Sequence, residues 1–535
     1  MPAHAATADE VAERTIGDRK LGFVDLSTGK IGTKTIPIAL RKRLLGGRGI
    51  NVALLLKHLP PGVEPLSPQN VLVFGAGPLT GTLAPSSSRM NVTFKSPETN
   101  ILGDGNIGGF FGAEMRNAGF DHLVVTGRAP RPSYLHVQDG GIEIRDAQPY
   151  WGHETIEVQE MIRRDFGEKR VEMVVTGVGG ENLVRFAAVR SGLKRSARCG
   201  GGAVMGSKNL KAITATGTQT LRVAYPKELL QRANEIHHYV GGSKVAQVLG
   251  TVGTAFLYDT SNAIGAIRTK NSQLNAWTDV FNSDQIEHRV EKMVSCSSCY
   301  VHCTHRNDQG GEGPEYSTTG IMGANICIET TDELIALNNL CNDLGYDTSS
   351  AGTILAWHME LYQRGMITEK DVGFPLKWGD YETVVKLLKM TSRREGWGDV
   401  IAESTQAVRL GKLPKEAADY VIAVKGLPQS DPHDVRYLKA FALGIAVASR
   451  GADHLRNRPT LEIFMNLPME KKAAIYGEGV TRDPTVYEGK AQTVAYSDNM
   501  FAAVDSAGIC KFVTHGFNSP HLVDFSIVAD LSRLT

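Results

Sequence analysis

Four cysteines have the types and spacing to do chemistry together. Cys296-Ser-Ser-Cys299-Tyr-Val-His-Cys303 gathers three thiols in one short segment, and Cys510 follows far downstream in Asp505-Ser-Ala-Gly508-Ile-Cys510. Four thiolates are the usual complement of a [4Fe–4S] cluster; a structural zinc ion takes the same number. Zinc sites more often show two close Cys-x-x-Cys pairs, whereas three grouped cysteines plus one remote one is the commoner iron–sulfur arrangement. Spacing favours the cluster and leaves zinc as the alternative. Of the other three cysteines, Cys199 sits beside a glycine run and Cys341 in a helical pattern, so both read as packing residues. Cys327 reads as a further metal ligand or, more commonly, a small buried residue.

The chain has 535 residues, long enough for three or four domains, with 58 Lys+Arg against 57 Asp+Glu and a net charge of +1. That balance gives no single-sign bias toward nucleic acid or an anionic membrane. No run approaches the roughly 18 apolar residues of a membrane span. Residues 1–14 are Ala-rich and polar, without the apolar stretch of a signal peptide. The expectation is a soluble cytoplasmic protein, where grouped cysteines more often hold metal than form disulfides. Glycine, at 57 positions, exceeds the usual roughly 7% and falls in short motifs, which suggests backbone packed closely on something large.

Several elements must position the thiols. Residues 20–150 read as strand-rich, opening with a hairpin at residues 21–30; residues 42–58 have helical spacing. Three glycine-rich loops follow, at residues 75–89, at Asp104-Gly-Asn106-Ile-Gly108-Gly109, and at residues 198–211 with basic residues on both sides. Such loops present backbone N–H groups that suit a phosphate-bearing ligand. The pattern is not the dinucleotide fingerprint, because neither the strand–turn–helix order nor the downstream acid is present. After about residue 217 the chain reads as mostly helical. Two segments echo one another: Asp505-Ser-Ala-Gly508-Ile-Cys510 is the tight form and Asp343-Leu-Gly345-Tyr-Asp347 the looser one. In each a carboxylate precedes a turn, where it could accept hydrogen bonds from a heterocycle; glycine capping of a helix is the plainer reading.

Taken together, residues 41–56, 75–95, 106–127, 179–188 and 202–213, with Cys296–Cys303, Glu312–Tyr316, Asn342–Asp347 and Asp505–Cys510, resemble the tungsten-containing aldehyde:ferredoxin oxidoreductase family. The resemblance implies an α+β fold: an N-terminal pterin-binding saddle domain of β-sheets over residues 1–218, then two mostly α-helical domains. The first, residues 219–423, carries Cys296, Cys299 and Cys303; the second, residues 424–535, carries Cys510 and is short for the family, so it reads as truncated, minimal or completed by a partner. The resemblance further implies a tungsten (less often molybdenum) bis-pterin, one [4Fe–4S] cluster on the four cysteines, and Mg2+ bridging the pterin phosphates. Arg89 matches the arginine between cluster and pterin, and Asn106 and Ala203 match the positions whose carbonyls hold magnesium. Asp343 and Asp505 match pterin-binding carboxylates, with Gly108, Asp347 and Ile509 in the same cofactor-contacting motifs. His454 matches a histidine beside the metal. The implied reaction is oxidation of an aldehyde to a carboxylic acid, or the reverse, on a small organic substrate, with electrons passing to a ferredoxin or a ferredoxin-like subunit.

Two departures bear on that reaction. The family commonly reads Glu-Gly-Pro-Glu-Tyr-Glu, and here the stretch is Glu312-Gly-Pro-Glu315-Tyr316-Ser317. Ser317 cannot serve as a base near neutrality without an activating partner, so Glu315 or His454 takes over the proton, or the reaction differs. Aromatic acyl-CoA reduction and 2-hydroxy acid oxidation stay open within the family, as does an electron-transfer subunit without pterin. Leu337 and Leu340 stand where some relatives carry ligands for a metal at a dimer interface, which argues against that metal and leaves a homodimer or hetero-oligomer open.

Overall fold

The computed structural model describes residues 19–167, 170–459, 462, 469–514 and 524–535; the polar segment 1–14 lies outside these residues. Twelve strands form the N-terminal part. They are β1 (Lys20–Asp25), β2 (Lys30–Thr35), β3 (Leu72–Ala76), β4 (Met90–Lys95), β5 (Leu102–Ile107), β6 (Phe120–Thr126), β7 (Ser133–Gln138), β8 (Gly141–Asp146), β9 (Glu172–Val175), β10 (Val189–Ser191), β11 (Arg195–Ala197) and β12 (Leu210–Thr216). They make two six-stranded sheets, ordered β2-β1-β6-β3-β4-β5 and β11-β10-β9-β12-β7-β8.

Read from the opposite end, the second order is β8-β7-β12-β9-β10-β11, the first with six added to every strand. Pairing follows suit: β1 lies parallel to β6 and β7 parallel to β12, and the other neighbours in both sheets are antiparallel. Helices fall at matching places, Gly47–His58 and Thr155–Asp165 after the hairpins, Phe111–Asn117 and Gly201–Ser207 before the last strands. The N-terminal part is thus one β-β-α-β-β-β-α-β unit used twice.

The two sheets share a core. Leu72, Phe74, Val92 and Leu123 of the first pack in one buried cluster with Leu135, Val137, Val174 and Ile213 of the second. These continuous apolar runs are what strands covered on both faces require. The corresponding edge strands β5 and β11 meet where Gly105 has no side chain; a Cβ there would lie 2.8 Å from the Cβ of Ala197. That close approach explains a glycine inside β5, and it means residues 104–107 form a strand rather than the loop read from the sequence. Residues 201–207 are likewise helix, not loop.

The helical part has its own core around Trp357, Ile354, Leu355, Leu387 and Leu388, into which Phe186 and Ala187 of the sheet region insert. Helix Thr331–Asp343 begins at Thr330, whose side chain accepts from Glu333 N, and helix Thr348–Gln363 begins at Asp347, whose carboxylate accepts from Ser349 N and Ser350 N; both are ordinary N-caps. Helix Lys490–Ala507 returns to pack on helix Gly47–His58. Residues 79–89 are tied to its end by Leu79 N to Ala507 O at 3.1 Å, Arg89 N to Gly508 O at 3.1 Å and Cys510 N to Ser86 O at 2.9 Å. The wide glycine-serine loop therefore spends these groups on holding Cys510 in place instead of forming an open anion nest. Among the described residues, no helix is long and apolar enough to cross a membrane.

Candidate active site

The site begins with the thiols. Val290–Val294 and Thr304–Asn307 pair as an antiparallel ribbon (β13 and β14), and Cys296, Cys299 and Cys303 lie in the turn between them. Ser86 N donates to Ser298 O at 2.7 Å, which clamps that turn onto the loop bearing Cys510. All four cysteines line one small cavity, together with Arg89 and Phe512. Among the described residues, no three Cys, His, Asp or Glu side chains converge on a single ion site. Four thiols lining one cavity suit the complement of a [4Fe–4S] cluster.

The electrostatics point the same way. Arg89 Nη2 donates to Cys510 Sγ at 3.0 Å, and burial of Arg89 is outweighed by the thiols, which raise its pKa. Burial opposes ionisation of Cys296, yet Arg89 and Arg195 lower its pKa overall. Cys303 is pushed up to about 12 by burial and by the neighbouring thiols. Cys299 is likewise raised by burial, so these two thiols ionise only when more positive charge joins them.

Beyond Arg89 and Gly108 the space opens into a two-lobed cavity. The lobe next to the thiols has a volume of about 240 Å³ and the other about 190 Å³. Asn106, Lys194, Ser196, Glu315, Ser317 and His454 line both. Each lobe ends in one of the two glycine-turn segments, Ile509 and Cys510 in the first, Asn342 and Asp347 in the second. Cations dominate the walls: Arg89, Arg195, Arg458 and Lys511 in the first, Arg190, Arg198 and Arg450 in the second, with Lys194 common to both. Lys194 and Lys511 are each lowered to about 8 by burial. Asn342 Nδ2 and Arg190 Nε are buried without a hydrogen-bond partner, and such donors ask for a ligand.

The carboxylates are already engaged. Asp505, in the last turn of helix Lys490–Ala507, accepts from Asn106 Nδ2 at 2.5 Å and pairs with Arg456 at 3.0 Å and with Lys511. Asp347 pairs with Arg198 at 2.8 Å. Asp343 turns away, accepting from Ile156 N at 3.2 Å, and lines neither lobe. Asn342 stands three residues before Gly345, as Asp505 does before Gly508, and it is Asn342 that faces the lobe and accepts from Arg190. The expectation for Asp343 is corrected by one residue; an amide in place of a carboxylate hid the register. Ala203 is also displaced. It is buried in the hydrophobic cluster with Phe186 and Tyr346, whereas Ser196 joins Asn106 at both lobes. Asn106 lies five residues before helix Phe111–Asn117 and Ser196 five before helix Gly201–Ser207, so the two are equivalent positions of the repeated unit.

His454 is 12% exposed at its side chain. Burial lowers its pKa to about 4, with Asp431 opposing. Nδ1 lies 3.1 Å from Ser430 Oγ and 3.4 Å from Asp431 Oδ2. Asp431 is held well below the usual carboxylate range by His433 and His454 against its burial, so the proton of neutral His454 is assigned to Nδ1, leaving the Nε2 lone pair for the cavity. Glu315 is bonded by Lys194 Nζ and Thr254 Oγ1. Cys327 lies outside the site, buried beside the Ala324–Ile326 turn. Asp431, Arg190, Asp453 and Arg450 were not singled out in the sequence, and Arg198 stood out there only as a basic residue flanking a glycine-rich loop; the fold brings the five to one site.

Residues 21–217 match the family model described as aldehyde ferredoxin oxidoreductase, N-terminal domain, and residues 231–534 match that of domains 2 and 3. The chain belongs to the aldehyde ferredoxin oxidoreductase family. Within this family it is 37% identical over 508 residues to the tungsten-containing aldehyde ferredoxin oxidoreductase of Pyrococcus furiosus, covering 93% of this chain and 82% of that protein. It is 30% identical over 534 residues to the WOR-like subunit of an aliphatic sulfonate oxidoreductase of the same organism, covering 92% of this chain and 79% of that one. The active-site complex BamBC of benzoyl coenzyme A reductase, solved with 1,5-dienoyl-CoA, superposes with a TM-score of 0.81 at 27% identity, over 94% of this chain and 83% of that one. An aldehyde ferredoxin oxidoreductase family member is an oxidoreductase, and its mixed α+β architecture is the one described above.

Proposed function

We propose that this chain is a tungsten bis-pterin enzyme with one [4Fe–4S] cluster, oxidising an aldehyde to a carboxylic acid and passing the electrons to a ferredoxin-type acceptor. The observation that carries this reading is that the four-cysteine cavity and the two-lobed cavity share Arg89, Cys296, Cys303 and Cys510 as walls. When bound, the pterin-held metal would supply two-electron redox chemistry and the cluster a one-electron exit. Cys296, Cys299, Cys303 and Cys510 would hold the cluster. The lobes would take one pterin each, with Asp505 and Asn342 at the ring ends and Lys194, Arg190 and Arg198 among the cations that meet phosphate. Asn106 and Ser196 are the pair assigned to magnesium.

The chain's own part is proton handling and positioning. Neutral His454 offers Nε2 as a base toward a hydrated aldehyde, and Asp431 steadies the imidazolium that results. Glu315 is tied to Lys194, so it fixes that lysine at the junction of the lobes rather than acting as a free base. Ser317 offers a hydroxyl to a substrate oxygen but no proton acceptor.

Anaerobically purified protein is expected to hold one W or Mo and about four Fe per chain and to oxidise aldehydes with a viologen dye. Zinc alone, or no extractable pterin, would sink this reading. A second reading, reduction of an aromatic acyl thioester, is favoured by Ser317 together with the similarity to BamBC; turnover of aromatic thioesters in place of aldehydes would select it.

A further inference from the structure

The turn Asp431-Pro432-His433 places a second imidazole on the carboxylate that serves His454. Asp431, His433 and Ser261 are all buried. Asp431 Oδ1 accepts from His433 N at 2.8 Å and from His433 Nδ1, while Oδ2 lies 3.4 Å from His454 Nδ1. An ionised carboxylate can only accept, so the proton of each neutral ring is assigned to Nδ1. His433 Nε2 is then an acceptor, and Ser261 Oγ stands 3.1 Å from it. Ser261 Oγ in turn accepts from the Tyr316 hydroxyl at 3.0 Å. Donors and acceptors therefore alternate without conflict from Tyr316 through Ser261 and His433 to Asp431, where His454 arrives from the other side. Tyr316, Asp431 and His454 line the lobe next to the thiols.

The turn is held from behind. Arg268 N donates to Pro432 O at 2.7 Å, and Ile267 and His433 form an antiparallel bridge. The His433 ring packs 5.1 Å from the rings of Tyr316 and Phe441. Arg268, Arg458 and Tyr316 also feel the charge of Asp431, and Arg458, Asp453 and Arg198 act on His454. Arg268 spends Nη1 on the carbonyls of Gln429 and Asp431. The Asp431 side chain is thus shared between two imidazoles, one on each oxygen.

We propose that His433 is a positioning residue for proton transfer at His454: it holds Asp431 Oδ1, turns Oδ2 toward His454, and limits how tightly that carboxylate keeps a proton on the His454 ring. The proposal rests on the reading of His454 as the base. Oxidation of an aldehyde with water yields the carboxylic acid, two protons and two electrons, so a base that takes one of those protons must release it before the next turnover. A carboxylate stripped of one donor is a stronger acceptor for the donor that remains, and it would hold His454 charged to higher pH. His433 prevents this by taking its share of the same charge.

The test is the pH dependence of kcat/KM for aldehyde oxidation, read with benzyl viologen, in the parent, His433→Phe and His433→Asn. Phenylalanine keeps a ring in the packing and removes both side-chain hydrogen bonds; asparagine restores an N–H near the place of Nδ1. The acid limb is expected to move up by about one pH unit in His433→Phe and to return most of the way to the parent position in His433→Asn. A histidine that only fills the core would lower Tm and the height of the profile and leave the limb in place. An unmoved limb in His433→Phe, or an equal shift in both variants, overturns the proposal. A second measurement does not depend on the phenylalanine variant folding: long-range proton–nitrogen spectra of histidine-labelled parent, with signals assigned by their loss in His433→Asn and His454→Gln, are expected to show both rings protonated on Nδ1. A proton on Nε2 of His433 overturns the chain of bonds. Should the parent oxidise no aldehyde with dye, the functional reading fails on its own, and the same spectra followed with pH still decide whether His433 sets the titration of His454.

Discussion

His454 works as a base only while it is neutral, and burial has taken its pKa to about 4. Its protonated form therefore appears only in acid, and activity is expected to fall as pH drops through about 4. Asp431 raises the His454 pKa and fixes its tautomer at Nδ1. In Asp431→Asn the acid limb should move to lower pH, while kcat falls about 10²-fold because the ring loses its orienting acceptor. Stopped-flow rates across pH 3.5–8 would check both; an unshifted limb with unchanged kcat removes Asp431 from the argument. At this scale the sequence was uneven. The thiols were legible from their type and spacing, and Arg89 only through the resemblance to the family. Asn342 was missed because an amide replaces the expected carboxylate, and Ser196 because a backbone position carries no side-chain signature at all.

Helix Lys490–Ala507 delivers two functional groups, and Gly508 decides where they go. Its φ is +90°, and a Cβ there would lie 2.1 Å from Thr80 Oγ1. The helix must end at that residue, and Cys510 is then caught by Ser86 O. In Gly508→Ala, left-handed strain of about 1–3 kcal/mol adds to the overlap with Thr80, and relief requires the Cys510 segment to shift away from Arg89. Lower thermal stability and iron content below about half of the parent value are expected, read by calorimetry and iron assay; full iron occupancy would show that the Cys510 segment adjusts freely. The helix end was visible in the sequence as Gly508, whereas the strand at Leu102–Ile107 was not. Gly105 reads locally as a breaker, and only its contact with Ala197 of the other sheet explains it there.

At the scale of the molecule, a duplicated sheet unit and a helical part are joined through buried charge. Asp104 on β5 accepts from Arg48 at 3.1 Å and Arg456 at 2.7 Å. Arg198 reaches Asp347 at 2.8 Å and Asp453 at 2.7 Å, and Arg185 reaches Glu403 at 2.5 Å. The repeat was illegible in sequence because its two copies share topology and not residues. The seam was illegible because its partners lie from 56 to 352 positions apart. Its consequence is a defined acid response. Asp104 and Asp453 sit far below the usual carboxylate range, burial being outweighed by their arginines, and Glu403 is lowered to about 2. Depressed carboxylates contribute stability that is complete above the unfolded value, about 4, and lost as pH falls below it. Burial also lowers His122 and His358 to about 3 and His305 and His454 to about 4. These bind protons on unfolding from about pH 6.5 downward, a loss partly offset by Glu98 and Glu154, which burial raises to about 8 and about 7 and which are protonated in the folded chain. Calorimetry is therefore expected to show Tm declining gently from about pH 6.5 and steeply below about 4, with Asp453→Asn lowering Tm at neutral pH and flattening the steep limb. A steepest loss above pH 5 would place the acid-labile contacts elsewhere than this seam.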